Sequence, residues 1–287
     1  MIKRFHEAPI LIFEQVQNLT DGDYALVHLF KDNPVYYQRF VEALEKGREV
    51  ILDNSLFELR EAFDMFEFAK WVKQLKPTYF IVPDCWKNGD ETVRMFFEFI
   101  KNFDCYPSKI IGVAQGNTLE EVAQTYYSIE PYCDKVAFNF DFSSYSGLPK
   151  NGIPNPLRMS VGRYKMLCDL YNKGVINEAK PHHLLGCGVP QEVLWYDKRW
   201  AWIDSIDTCN PVINGMKLRK YDESIYGLTD KLKDRMCDHI NDDITPKQWQ
   251  VIEHNINMMK ELCLKEERIC LTKELKDENK YIRQKNN

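Results

Sequence analysis

Between residues 25 and 207, short β-rich apolar runs alternate with segments whose apolar residues recur at helical spacing. That alternation restricts the chain to folds built on a parallel sheet. The runs are Ala25–Phe30, Glu49–Asp53, Tyr79–Asp84, Lys109–Gln115, Lys135–Asp141, His182–Gly188 and Trp202–Asp207. Between them, Asp64–Leu75 carries Met65, Phe68, Ala69 and Val72 on one helical face, and Glu91–Phe103 carries Val93, Phe96, Phe97 and Ile100. Thr118–Ile129 opens with Thr118 followed by Glu121, the pattern of a capping box, and Pro156–Tyr171 is a further helix. Seven strands, with no glycine-rich fingerprint after the first, predict a (β/α)8 barrel over residues 1–220; an open doubly wound sheet is the alternative.

Residues 142–156, rich in Ser, Gly, Pro and Asn, read as a long loop after the fifth run, and such loops at a barrel's top often carry function. Beyond Pro211 the alternation stops. Thr245–Leu264 is an amphipathic helix and residues 265–287 are a charged, fraying tail, so residues 221–287 are expected to form a helical extension packed on the barrel. From residue 211 onward 15 basic side chains face 14 acidic ones, a solvated mixed-charge surface rather than a nucleic-acid arm.

Hydrophobic residues are 44% of the 287 and aromatics 13%, which excludes a disordered or fibrous chain. No apolar run is long enough to span a membrane, and Met1–His6 lacks a signal core, so a cytoplasmic protein is expected. Nine scattered cysteines read as thiols of a reducing compartment. A net charge of −5 argues against strong non-specific nucleic-acid binding but leaves room for a local basic groove. Lys217, Arg219 and Lys220 are its candidates, with a solvated surface as the alternative.

The informative feature is where polar residues fall. Val50-Ile51-Leu52 is followed by Asp53, Phe80-Ile81-Val82-Pro83 by Asp84, Ile110–Ala114 by Gln115-Gly116, and Trp202–Ile206 runs into Asp207. In a parallel barrel these C-terminal ends converge on the face where active sites are built. Three carboxylates sharing a partly desolvated site would raise at least one pKa, which suits acid/base work. The alternative, that each Asp caps the next helix, is weakened because neither Asp53 nor Asp207 is followed at once by a helical pattern.

Other chemistries find less support. Gly186-Cys187-Gly188 lacks the third glycine of a dinucleotide site, and its glycines suit close approach of a ligand to the backbone. His182 and His183 are adjacent, so on a strand they face opposite ways, and no metal-ligand spacing accompanies them. No cofactor or metal is therefore expected. Cys85, Cys187 and Cys209 sit at strand ends; His183 could lie near Cys187, but buried structural thiols are the better reading. Trp195, Trp200 and Trp202 read as barrel-wall packing. Phe57, on the loop after Asp53, is the candidate for stacking on a ligand, with a core role as the alternative.

Five segments in order, Leu52–Phe57, Pro83-Asp84-Cys85, Gly112–Asn117, Leu185–Val189 and Asp204–Asp207, resemble the tRNA-guanine transglycosylase superfamily over roughly residues 25–220. That superfamily is a (β/α)8 barrel whose members exchange guanine in nucleic acid for a 7-deazaguanine. The resemblance implies Asp207 as the nucleophile, Asp53 as the general acid/base and Phe57 as the aromatic that stacks on the base. It implies Asp84 as the reader of the guanine N1–H and 2-amino edge, Gln115 as the residue facing the base's carbonyl side, and Gly186 or Gly188 as the backbone lining the pocket. Two glycines of the family's loop after the first aspartate are replaced here by Ser55 and Leu56, which puts that loop's path in question. The tRNA enzymes also carry a zinc site of three close cysteines and a histidine; Cys237, Cys263 and Cys270 are far apart. The chain is thus most similar to the DNA-directed branch, and the partners implied are DNA presenting a flipped or single-stranded guanosine nucleotide and a free 7-deazaguanine such as 7-cyano-7-deazaguanine. The same chemistry on tRNA, a nucleoside hydrolase and a non-catalytic nucleobase-binding barrel remain the rival readings.

Overall fold

The computed structural model describes residues 1–196, 198–222 and 234–264. Eight parallel strands close into a barrel in sequence order: β1 (Lys3–Phe5), β2 (Gly22–Leu26), β3 (Glu49–Asp53), β4 (Tyr79–Ile81), β5 (Lys109–Ala114), β6 (Lys135–Phe138), β7 (His182–Leu184) and β8 (Ile203–Asp207). The last strand pairs with the first, Phe5 opposite Asp207, so the sheet has no edge and the open-sheet alternative is excluded. Helices alternate with the strands: α1 (Phe13–Gln17), α2 (Pro34–Glu45), α3 (Leu56–Leu59), α4 (Met65–Leu75), α5 (Gly89–Asn102), α6 (Leu119–Ile129), α7 (Asn155–Asn172) and α8 (Asn210–Met216). After β7 the connection is made by 3-10 turns instead, Pro190–Trp195 and Lys198–Trp200. The last helix among the described residues, α9 (Pro246–Leu264), packs on α8.

The expected helices form where the apolar period places them. Thr118 caps α6 with the reciprocal Glu121 bonds of a capping box, and Asp64 caps α4 by accepting from the N–H groups of Phe66 and Glu67. Three features depart from expectation. Strand β1 was not anticipated, because its charges hide it: Arg4 is buried against Asp21 at 2.8 Å and Lys3 pairs with Glu49 at 2.7 Å. The first expected run, Ala25–Phe30, is shifted. Strand β2 starts at Gly22, where a Cβ would stand 2.2 Å from a Phe5 ring carbon, and Val27–Leu29 turns into a 3-10 helix. Helix α2 arises in a stretch to which no helix was assigned, with Pro34 at its first turn and Tyr36, Phe40 and Ala43 buried on one face.

Trp195, Trp200 and Trp202 are buried as expected, with Trp200 and Trp202 centroids 5.3 Å apart. The tail after residue 264 and Cys270 lie outside the described residues. Among the described residues no helix is long and apolar enough to cross a membrane.

Candidate active site

At the C-terminal ends of the strands lies a cleft with about 790 Å³ of atom-free space, counted to its open mouth. Its wall includes Asp53, Asp84 and Asp207 from the ends of β3, β4 and β8, so the barrel brings the three expected carboxylates to one place. Gln115, Phe57 and Gly186 line it too. Gly188 does not: it is buried to one side, where its carbonyl accepts from Asn210 Nδ2 at 2.7 Å.

Each carboxylate is held differently. Asp207 is 5% exposed, and its Oδ1 accepts from the Gly186 N–H at 2.9 Å and pairs with His183 Nε2 at 3.0 Å. Asp53 accepts the Ser55 N–H at 3.0 Å in a tight turn. Desolvation, then the nearby Glu58 and Asp207 carboxylates, push its carboxyl well above the ordinary aspartate value. Asp84 is 4% exposed; its Oδ1 accepts from Asn54 Nδ2 and its Oδ2 from Gln115 Nε2, each at 2.7 Å. Burial raises Asp84 to about 6 although both amide bonds favour the anion.

Helices begin close after Asp53 and Asp207, contrary to expectation, at Leu56 and Asn210. Neither carboxylate caps them. The residues before these helices are Ser55 and Cys209, and Asp207 is engaged by His183 and Gly186 instead. Ser55 stands at φ 60°, a backbone shape that glycine adopts without strain. Its Oγ lies 2.8 Å from His28 Nδ1, which steadies the turn.

Amides and aromatics complete the pocket. Gln115 Oε1 accepts from Asn139 Nδ2 at 2.8 Å and from the Lys87 N–H at 3.0 Å, which fixes its amide with the NH2 toward Asp84. The Phe57 ring meets Phe140 edge-on at 5.2 Å and Trp86 at 6.4 Å, and the Arg60 guanidinium lies 5.1 Å from the Phe57 centroid. The C-terminal segment closes one side with Asp234, Arg235 and Met236, Arg235 donating to the Glu58 carbonyl at 2.9 Å. Among the described residues of the lining, the charged ones other than Arg235 are carboxylates: Glu7, Asp53, Glu58, Asp84, Asp207 and Asp234. Such a pocket favours a group that becomes positively charged as it reacts.

Several lining residues escaped the sequence reading. Asn139 follows the same rule as Asp53 and Gln115, a polar residue ending an apolar run, and could have been found by it. Glu7 follows the unanticipated β1. Trp86, Phe140 and Arg235 carry no local signal. His182 and His183 do face opposite ways: His182 stacks on Tyr126 outside the barrel, whereas His183 points inward to Ser205 and Asp207 rather than to Cys187. Burial pushes the Cys187 thiol well up, consistent with an inert structural cysteine. Lys217, Arg219 and Lys220 are exposed, and Lys217 pairs with Asp234 at 3.0 Å. Among the described residues no three His, Cys, Asp or Glu side chains converge as metal ligands.

No protein-family model and no curated protein matches the chain. Among solved structures, the YdjI aldolase from Escherichia coli K12 is similar in fold, with TM-score 0.51 and 10% identity over 91% of this chain and 88% of that one. An enolase protein from the environmental genome shotgun sequencing of the Sargasso Sea aligns at TM-score 0.43 and 10% identity, covering 72% of this chain. This chain spans about half of that enolase, 54% of its length. At such identities the likeness is one of fold alone: this is a TIM barrel with a C-terminal helix.

Proposed function

We propose that this chain is a guanine transglycosylase that replaces guanine in DNA with a 7-deazaguanine, such as 7-cyano-7-deazaguanine, through a covalent bond between Asp207 and C1′ of the nucleotide. The observation that carries the reading is the meeting of Asp53, Asp84 and Asp207 in one cleft beside the Phe57 ring. Cleaving an N-glycosidic bond develops oxocarbenium character at C1′, which an opposed carboxylate traps. In the first half-reaction the Asp207–C1′ bond forms and the C1′–N9 bond breaks. Asp53, its carboxyl raised by burial and by Glu58 and Asp207, is suited to hold the proton that the departing guanine takes. In the second half-reaction Asp53 accepts the N9 proton of the incoming base, whose nitrogen displaces Asp207.

Asp84 supplies selectivity. Its carboxylate accepts from the N1–H and 2-amino edge of guanine, and adenine offers no such donor pair. Asn54 and Gln115 occupy one acceptor site on each oxygen, and adenine would strip water from the remaining sites without replacing its hydrogen bonds, a loss of about 1–3 kcal/mol that rejects it. The φ of Ser55 supports the resemblance at the point where its loop was in question, because a glycine would adopt the same turn. The wide spacing of Cys237, Cys263 and Cys270 favours DNA over tRNA.

The test incubates labelled guanine separately with single-stranded DNA and with tRNA. Incorporation into DNA that Asp207→Asn abolishes is the expected result. Incorporation into tRNA alone reassigns the substrate, release of free base without exchange indicates a hydrolase, and base affinity without turnover indicates a binding barrel.

A further inference from the structure

Beneath Asp207 a file of buried polar side chains runs down the barrel axis. Lys135, at the start of β6, is 1% exposed, and its ammonium contacts Asp204 Oδ2 and, at 3.0 Å, Ser205 Oγ. Ser205 Oγ lies 2.9 Å from His183 Nδ1, and His183 Nε2 lies 3.0 Å from Asp207 Oδ1. Ser205 and His183 are fully buried. The imidazole is clamped by Tyr24, stacked at 6.3 Å, and by the edge of Phe5 at the same separation.

The direction of the hydrogen bonds in the file follows from its two charged ends, the Lys135 ammonium and the Asp207 carboxylate. An ammonium only donates, so the Lys135 N–H donates a hydrogen bond to Ser205 Oγ. The hydroxyl hydrogen must then go to an acceptor. Asp204, which also hydrogen-bonds Ser205, and His183 Nδ1 both lie within reach; the Asp207 carboxylate facing His183 Nε2 only accepts, so the imidazole hydrogen sits on Nε2 and Nδ1 is left to take the hydroxyl hydrogen. An imidazole that accepts at Nδ1 carries its hydrogen on Nε2 and donates it to Asp207 Oδ1. The Gly186 N–H donates to that same oxygen at 2.9 Å. Among the described residues no donor reaches Oδ2.

We propose that Lys135 and Ser205 are positioning residues that hold His183 as the Nε2–H tautomer, so that two donors pin Asp207 Oδ1 and leave Oδ2 as the oxygen that bonds to C1′. This rests on the reading of Asp207 as the nucleophile. Two bonds to one oxygen fix the carboxylate plane, and they stabilise the negative charge that returns to Asp207 when the incoming base displaces it.

The tautomer is read without substrate. The full chain, labelled with 15N-histidine, gives a long-range 1H–15N spectrum in which His183 is assigned by its loss in His183→Gln. At neutral pH the wild type is expected to show an Nε2–H imidazole, and Ser205→Ala and Lys135→Met each to lose that signature. Ser205→Thr, which restores a hydroxyl, is expected to return it. In single-turnover exchange Ser205→Ala slows the chemical step about ten- to a hundredfold with base affinity changed less than about twofold, the range seen when a supporting hydrogen bond is removed. An Nδ1–H or doubly protonated His183 in the wild type, or an unchanged tautomer in Ser205→Ala, overturns the proposal even if Lys135→Met fails to fold. A chain that exchanges no base yet shows the Nε2–H tautomer overturns the transglycosylase reading, and with it the assignment of Oδ2, but leaves the hydrogen-bond order standing.

Discussion

Asp84 illustrates how a single buried side chain links stability to chemistry. Its carboxyl is raised from 3.8 to about 6, first by desolvation. The folded chain therefore binds the proton more tightly than the unfolded chain. The group's contribution to stability is greatest below about pH 4, declines as pH rises toward 6, and is constant above. A difference of two units corresponds to about 3 kcal/mol. Asp84→Asn removes this dependence, so between pH 4 and pH 7 the stability of the variant relative to wild type should rise by up to about 3 kcal/mol, measured by urea unfolding. A pH-independent difference would contradict the assignment. If Asp84 reads guanine as proposed, it does so as the ionised carboxylate, so base affinity in the wild type should also rise with pH through about 6, and calorimetric titration across that range checks it. Ser55 offers a second test at this scale. Ser55→Gly relieves a left-handed backbone position worth about 1–2 kcal/mol but gives up the His28 contact, so the net change in melting temperature should be small and base exchange should persist.

Among the elements, the β7–β8 pair carries Asp207, the proposed nucleophile. Gly186, two residues past the end of β7, has φ 59°, and a Cβ there would stand 3.4 Å from Phe140. Gly186→Ala should cost about 1–2 kcal/mol of stability through that φ, and it should lower exchange far more, because it displaces the N–H that holds Asp207. Comparing urea midpoints with single-turnover rates separates the two effects. Helix α6 gives the contrast. Thr118→Ala breaks the capping box and should cost about 1 kcal/mol while leaving base affinity unchanged, since Thr118 lies outside the cleft lining. The short strands owe their lengths to the same site: β4, β6 and β7 leave the ladder before the expected runs end, and the freed residues 82–84, 139–141 and 185–188 build the loops that carry Asp84, Asn139 and Gly186.

Across the whole molecule, α9 and the segment before it complete what the barrel leaves open. Gly215 of α8 lies so close to α9 that a Cβ would stand 2.6 Å from Ile252 Cα. Gly215→Ala must separate the helices, costing about 1–3 kcal/mol. It should also weaken base binding, because Asp234, Arg235 and Met236 line the cleft from the chain between these helices. Thermal unfolding and ligand titration of the same variant check both effects.

The alternation of period-2 and period-3.6 apolar runs was enough to predict a barrel. Polar residues closing apolar runs were enough to mark Asp53, Asp84, Gln115 and Asp207, because a strand's C-terminal end is a local property of the chain. What stayed hidden depended on partners distant in sequence. Strand β1 was masked by charges neutralised across the barrel by Asp21 and Glu49, and β2 by Asp23, which is buried against Arg48 at 2.7 Å. The fates of Gly186 and Gly188 diverged because the φ of the first turned the chain and placed the second behind Asn210. Trp86, Phe140, Arg235 and the file from Lys135 to Asp207 were assigned to the site only by closure of the barrel and its register. Periodicity is written residue by residue, whereas which strand ends share a cleft follows from how eight strands stagger around one axis.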